Sequence, residues 1–190
     1  ADVATDQGDV VARLTSQIAG GTEFIVPMGE RADPQTVQFG NHVDTEPVGV
    51  LAWEATRIAS GIPRIGLDTD ARTIPNEIGL YATHLDKGCY RGQETVARVH
   101  NLGRPPRRLT MLMLDGSDAE LPDPGASVIL EGRKVGQLGG VAMHHELGPV
   151  GLALLKRNVS VDAVPTVDGV AASQTILVDP EVGLHVRPQL

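Results

Sequence analysis

Asn101-Leu102-Gly103-Arg104-Pro105-Pro106 divides the chain into two textures. Beyond it come short apolar runs separated by Gly, Pro, Asp and Asn, with no sustained helical period, which is how an all-β domain with tight turns reads. Strands are expected at Leu109-Leu114, Val128-Leu130, Lys134-Met143, Val150-Lys156 and Gln174-Val178. Gly132, between Glu131 and Arg133, marks a hairpin turn, and Pro122-Asp123-Pro124-Gly125 a longer one. The expected organisation is therefore α+β: a mixed segment over residues 1–104, then a small antiparallel β-barrel over 105–190.

Before the division the signals are mixed. Val48, Leu51, Ala52, Ala55, Ile58 and Ala59 share one helical face, so a helix is expected from Pro47 to Ser60. Thr45 or Asp44 would cap it, Pro47 would sit in its first turn, and Gly61 with Pro63 would end it. Val10, Val11, Leu14 and Ile18 suggest a short amphipathic helix over Asp9-Ala19, stopped at Gly20-Gly21. Phe24-Ile25-Val26 reads as a buried strand within Thr22-Pro27, and Gly29-Pro34 as a loop. Ile74-Pro75-Asn76-Glu77 looks like the entry to another helix running to about His84, because proline is tolerated in a first turn.

A chain of 190 residues can build real cores without disulfide or metal staples. Its composition, with 41% hydrophobic and 21% charged residues, is that of a folded protein, and 22 Gly with 13 Pro indicate many turns. A single cysteine cannot form an internal disulfide, and no run approaches the roughly 18 apolar residues that cross a bilayer as a helix. A cytoplasmic setting without a membrane partner is expected. The opening Ala1-Asp2-Val3 lacks an initiator Met, a basic region and an apolar signal core, so the chain is expected to be a fragment or a processed product.

The formal charge of -8 disfavours general adhesion to nucleic acid. Lys87 to Arg108 is the exception: Lys87, Arg91, Arg98, Arg104, Arg107 and Arg108 face only Glu94, giving a net +5 in a chain whose remainder carries -13. The only cysteine, Cys89, lies inside this island. Gly88 and Gly92 bracket Cys89-Tyr90-Arg91 and allow a sharp turn, after which Gln93 to His100 can run as helix. Free N–H groups at that helix start, with Lys87 and Arg91, would favour a bound carboxylate or phosphate, or the thiolate of Cys89 itself. Nucleic acid is a weaker reading, since five aromatic residues are a poor stacking surface. His144-His145-Glu146 does not read as a metal site, because neighbours on a strand point to opposite faces unless a bulge or turn intervenes.

As a whole, Lys87-Gly88-Cys89-Tyr90-Arg91-Gly92-Gln93-Glu94 resembles the K-G-C-Y-x-G-Q-E signature of the YgfZ folate-binding proteins, relatives of the glycine-cleavage aminomethyltransferase (GcvT). Trp53 to Gly61 resembles the family's helix, Thr73-Ile74-Pro75-Asn76-Glu77 its T-I-P-x-E turn, Val96-Ala97-Arg98 the continuation of the signature, and Gly136 to Leu155 its C-terminal barrel. The resemblance runs from about residue 22 to the end and implies the C-terminal part of a GcvT/YgfZ-like fold. It also implies a tetrahydrofolate-binding accessory protein that supports iron-sulfur cluster assembly or repair, and through it tRNA modification. Cys89 becomes the candidate functional thiol, and Lys87, Tyr90, Gln93, Glu94 and Arg98 the candidate folate-binding residues. Iron-sulfur cluster proteins become candidate partners, together with a separate chain supplying the family's N-terminal portion. Where the aminomethyltransferases carry R-L-E-A-G, this chain has Ala59 at the glutamate position, which removes a carboxylate acceptor for the pterin and disfavours aminomethyl transfer. A folate-dependent one-carbon transferase and a thiol redox or RNA-interaction module are the alternatives.

Overall fold

The computed structural model describes residues 3–4, 10–15, 22–25, 48–80, 87–102, 105–116 and 120–181. Its centre is a closed antiparallel barrel of six strands: β4 (Arg107–Leu114), β5 (Ser127–Leu130), β6 (Arg133–His144), β7 (Gly148–Lys156), β8 (Thr166–Val167) and β9 (Val170–Ile176), ordered β4-β7-β6-β5-β8-β9 and closed by β9 on β4. All five barrel strands expected from the apolar runs are present, four of them slightly longer than read. The last begins four residues earlier, at Val170, and stops at Ile176, so Val178 lies beyond it. The two-residue β8 is too short to leave a periodic trace, yet it bridges β5 and β9 and closes the ring.

Period-two alternation sorts the barrel residues onto two faces. Leu112 and Leu114, with Val128, Leu138, Ala153, Leu155, Val167 and Ala172, come from all six strands and fill the interior. Leu109 and Met111 point the other way and join Val150, Leu152, Leu154 and Ala142 in an outer apolar face over β4, β7 and β6. That outer face is covered by α1 (Val50–Ala59), which inserts Ala55 and Ile58. Burying each large aliphatic side chain contributes about 1.5 to 3 kcal/mol, so the two-sided burial of β4 and β7 is the main anchor of the domain. The turns follow their sequences. Glu131 and Gly132 both take positive φ (51° and 73°), the type I′ geometry that joins twisted strands, and Ala126 N–H bonds Asp123 C=O across Pro124-Gly125.

Outside the barrel several expectations change. Where a helix was expected over Asp9-Ala19, the described part is a strand, β2 (Val10–Thr15), which pairs antiparallel with β1 (Val3–Ala4) on one side and β3 (Thr22–Ile25) on the other; residues 9 and 16–19 lie outside the described residues. Val10, Val11 and Thr15 are β-branched and favour extended backbone, and the neighbouring apolar run of β3 supplies a partner, so strand pairing overrides a weak helical period. β3 itself was expected. Helix α1 begins at Val50, with extended Gly49 as an N-cap that offers no side-chain bond; Asp44, Thr45 and Pro47, read as its start, lie outside the described residues, as does the Gly29-Pro34 loop. Of the helix expected from Ile74-Pro75 to about His84, the described part is a single 3-10 turn, Pro75–Ile78, ended by Gly79 at φ 75°, and residues 81–84 lie outside the described residues. The helix after the cysteine turn, α2 (Gln93–Leu102), forms as read.

Candidate functional site

Two clusters of charge stand out, built in opposite ways. The first joins α1 and the loop after it to the barrel. Arg57, almost fully buried, donates from Nη1 to Asp68 Oδ2 at 2.8 Å, from Nη2 and Nε to Glu54 Oε2 at 2.7 and 3.1 Å, and from Nη1 to the carbonyl of Ile62. Asp68 also accepts the backbone N–H of Arg64 at 2.7 Å and that of Gly140 at 2.6 Å, so one carboxylate ties helix, loop and β6 together. Gly139-Gly140 lies where the β6–β7 register shifts, and only glycine fits there: a Cβ on Gly140 would stand 2.6 Å from Arg57 Nη2, and one on Gly139 would stand 2.7 Å from Asp68 Cα. Burial pushes the Glu54 carboxyl up, but hydrogen bonds and charge from Arg57 and Arg64 outweigh it and hold it below its ordinary value.

The same pattern repeats one strand away. Arg107, at the start of β4, makes two forks: Nε and Nη2 to the two oxygens of Glu77, both at 2.9 Å, and Nη1 and Nη2 to Asp70 at 2.7 and 3.1 Å. Glu77 is fully buried and also accepts Ile74 N–H at 3.1 Å, capping its own 3-10 turn. The hydrogen bonds that Arg107 donates to Glu77, then those to Asp70, raise its pKa, and Arg107 in return holds Asp70 well below the usual carboxylate range. Next to it, Arg108 points into the barrel, where it donates to Thr110 Oγ1 at 2.5 Å, Gln174 Oε1 at 2.8 Å and Val159 C=O at 3.3 Å. Burial, and then the charge of Arg157, lower its pKa. Two of the six cations of the basic island, Arg107 and Arg108, are thus held by groups of the fold. Arg104 lies outside the described residues.

The second cluster is the cysteine turn. Cys89 is exposed, as are Lys87, Arg91, Glu94 and Arg98. Tyr90 is half-buried, with the Lys87 ammonium 4.5 Å from its ring centroid, a cation-π contact. Gln93 Oε1 accepts the Tyr90 N–H at 3.1 Å, and Gln93 N–H returns a bond to Tyr90 C=O at 3.3 Å, so residues 90 and 93 lock the entry to α2. The Tyr90 hydroxyl is buried and finds no hydrogen-bond partner among the described residues. Lys87, Cys89, Tyr90 and Gln93 are thereby gathered on one turn, while Glu94 and Arg98 follow on α2.

A groove of about 620 Å³ lies elsewhere, between the 66–72 loop and the β6 edge; its walls include Leu67, Arg72, Arg107, Lys134, Val135 and Lys156, and none of residues 87–98. The His144 and His145 rings do approach, at 4.5 Å between centroids, contrary to the strand-face expectation, because β6 ends at His144 and a turn follows. Nδ1 of His144 accepts the N–H groups of Glu146 and Leu147, each at 3.2 Å, a turn-closing role. Among the described residues no group of three or more His, Cys, Asp or Glu side chains could hold a metal ion, and no helix is long and apolar enough to cross a membrane.

The described architecture is thus a small antiparallel barrel with a helix ion-paired onto its outer face and an exposed cysteine turn on a second helix. No protein-family model matches the chain. Its curated relatives include the tRNA-modifying protein YgfZ of Colwellia psychrerythraea, 36% identical over 80 residues, and that of Escherichia coli, 37% over 82 residues. These matches cover 40% and 42% of this chain and 24% of each relative. A third, "Putative transferase At1g60990, chloroplastic" of Arabidopsis thaliana, is 37% identical over 93 residues, 48% of this chain and 21% of the relative. These similarities support a YgfZ-like family for the chain, and the matched stretches span about a quarter of the relatives' length.

Proposed function

We propose that this chain is a YgfZ-like accessory protein that binds a tetrahydrofolate and supports iron-sulfur cluster assembly or repair, and through it tRNA modification, in the cytoplasm. The observation that carries the reading is the cysteine turn, with Cys89 exposed beside a lysine-tyrosine pair and a glutamine that fixes the helix entry. The similarity to proteins named for tRNA modification supports the same reading. In it, Lys87 and Arg98 attract the glutamate carboxylate of the folate, Tyr90 offers a ring face and a buried hydroxyl, Gln93 and Glu94 orient the helix entry, and Cys89 is the functional thiol. Iron-sulfur cluster proteins are the corresponding partners.

Calorimetric titration of tetrahydrofolate into the chain, and complementation of bacteria lacking their own YgfZ with tRNA modification as readout, test the proposal. Saturable binding weakened at least tenfold by Lys87→Ala, with loss of complementation in Cys89→Ala, is the expected result. No binding, together with full complementation by Cys89→Ala, overturns it. Formaldehyde release from a methylamine donor in the presence of tetrahydrofolate would instead make the chain a one-carbon transferase, the direction in which the name of the Arabidopsis relative points.

A further inference from the structure

The groove between the 66–72 loop and β6 is outside the cysteine turn, and its chemistry is of another kind. Four cationic side chains, Arg72, Arg107, Lys134 and Lys156, and two carboxylates, Asp68 and Asp70, line it. Both carboxylates are already engaged: Asp68 by Arg57 and two backbone N–H groups, Asp70 by the Arg107 fork. Arg107 is likewise engaged, on Glu77 and Asp70. That leaves Arg72, Lys134 and Lys156 exposed, with no carboxylate partner among the described residues; Lys156 makes one bond, from Nζ to the Lys134 carbonyl at 3.0 Å, which holds its ammonium at the β6 edge. Arg72, Lys134 and Lys156 outweigh the one excess negative charge of the Arg107–Glu77–Asp70 network, and this local positive excess around one concavity stands out in a chain of net charge -8, where the rest of the protein repels anions. The rest of the lining mixes the apolar side chains of Leu67, Val135 and Leu154 with the uncharged polar ones of Thr69 and Gln137. A volume of about 620 Å³ is within the range of pockets that hold small organic ligands.

We infer that this groove binds a multiply charged organic anion, its charged groups on Arg72, Lys134 and Lys156 and its body against Leu67, Val135 and Leu154. A monoanion would leave part of this positive excess unmatched, and an inorganic ion would leave Leu67, Val135 and Leu154 uncovered. The inference does not rest on the folate reading, because no residue of the cysteine turn takes part. The required chemistry can come from a phosphate ester or from a polycarboxylate, and ADP and citrate are probes for the two.

Titration of ADP and of citrate into the chain, followed by calorimetry and by backbone amide shifts, tests the assignment. Saturable one-to-one binding of at least one probe is expected, with shifts at Leu67, Gly136 and Gly139. Lys134→Gln/Lys156→Gln should weaken it at least tenfold; both side chains are exposed, so the fold is retained. Arg91→Gln/Arg133→Gln, an equal change of charge outside the groove, should leave affinity within twofold. Binding of ADP alone assigns a phosphate ester, and of citrate alone a polycarboxylate. The inference is overturned if neither probe binds at millimolar concentration, if both double variants lose affinity equally, or if the shifts fall on residues 87–98. A loss of tetrahydrofolate binding in Lys87→Ala with unchanged probe binding would separate the two sites.

Discussion

Arg57 and Lys87 sit in two stretches of equal chemical interest, and the structure uses them differently. Around Arg57 and Arg107 nearly every charge is matched: Glu54, Asp68, Asp70 and Glu77 are all hydrogen-bonded to guanidinium groups, and Arg57, Asp68 and Glu77 are buried. Around Cys89 the cations are exposed and the one close contact of Lys87 is with an aromatic ring. Buried pairs are costly to break and rigid, whereas exposed charges contribute little to stability and are free to meet a ligand. The ion-paired region is therefore the frame and the cysteine turn an exposed surface. Substitutions in the first should act on stability, and those in the second on binding or reactivity.

The largest effect is expected for Asp68→Ala. It removes the fully buried one of the two carboxylates that pair with the buried Arg57 guanidinium and also orphans the N–H groups of Arg64 and Gly140, so a loss of about 3 to 5 kcal/mol is expected in urea unfolding. A loss below about 1 kcal/mol would mean that α1 is not held to the barrel by this carboxylate, and the contrast between the two regions would break. Gly140→Ala comes next, because its Cβ would stand 2.6 Å from Arg57 Nη2 and force the buried pair apart; a loss of about 1 to 3 kcal/mol is expected by the same measurement.

Asp70 sharpens the comparison from the side of pH. It belongs to the Arg107 network, but half of its side chain is exposed, so solvent screening limits its share. Its folded-state pKa is depressed by the Arg107 hydrogen bonds, so its contribution is fully present above the ordinary aspartate value near 3.9 and fades as pH falls below about 4. Asp70→Asn should cost at most about 1 kcal/mol at neutral pH and flatten the acid limb of a stability-versus-pH curve. An unchanged acid limb would place the acid sensitivity elsewhere, with Glu54 the next carboxylate whose pKa is held down.

The barrel was legible because each strand buries a face and writes that burial as an apolar run between turn residues. Leu109-Leu114 and Val150-Lys156 are the clearest examples, being covered on both sides. The strand Val10–Thr15 was misread because four apolar positions in eleven residues fit a helix as easily as a strand, and the partner that decides the matter lies elsewhere in the sequence. The ion-paired frame left almost no local trace, since Asp68 reaches Gly140 across 72 positions and Glu77 reaches Arg107 across 30. Two signals were nonetheless present. Gly139-Gly140 interrupts an apolar strand, which marks a bulge or a close backbone approach, and Arg57 falls between Ala55 and Ile58 on an otherwise apolar helical face. The cysteine turn was legible as a local motif, but the folding role of Arg107 and Arg108 was not, because charge counted along the chain does not reveal which side chains the barrel buries.

The smallest effect on stability is expected where the functional interest is greatest. Cys89 is exposed, so Cys89→Ala removes little buried area and should change unfolding free energy by less than about 0.5 kcal/mol. The same exposure predicts that the native thiol reacts with a soluble disulfide reagent as completely as in urea, because no unfolding is needed to reach it. A change in stability above about 1 kcal/mol, or a thiol that reacts only after denaturation, would mean that the sulfur is packed into the frame. The cysteine turn would then belong with Arg57 and Asp68 as a structural element, and the division between a buried frame and an exposed turn would no longer hold.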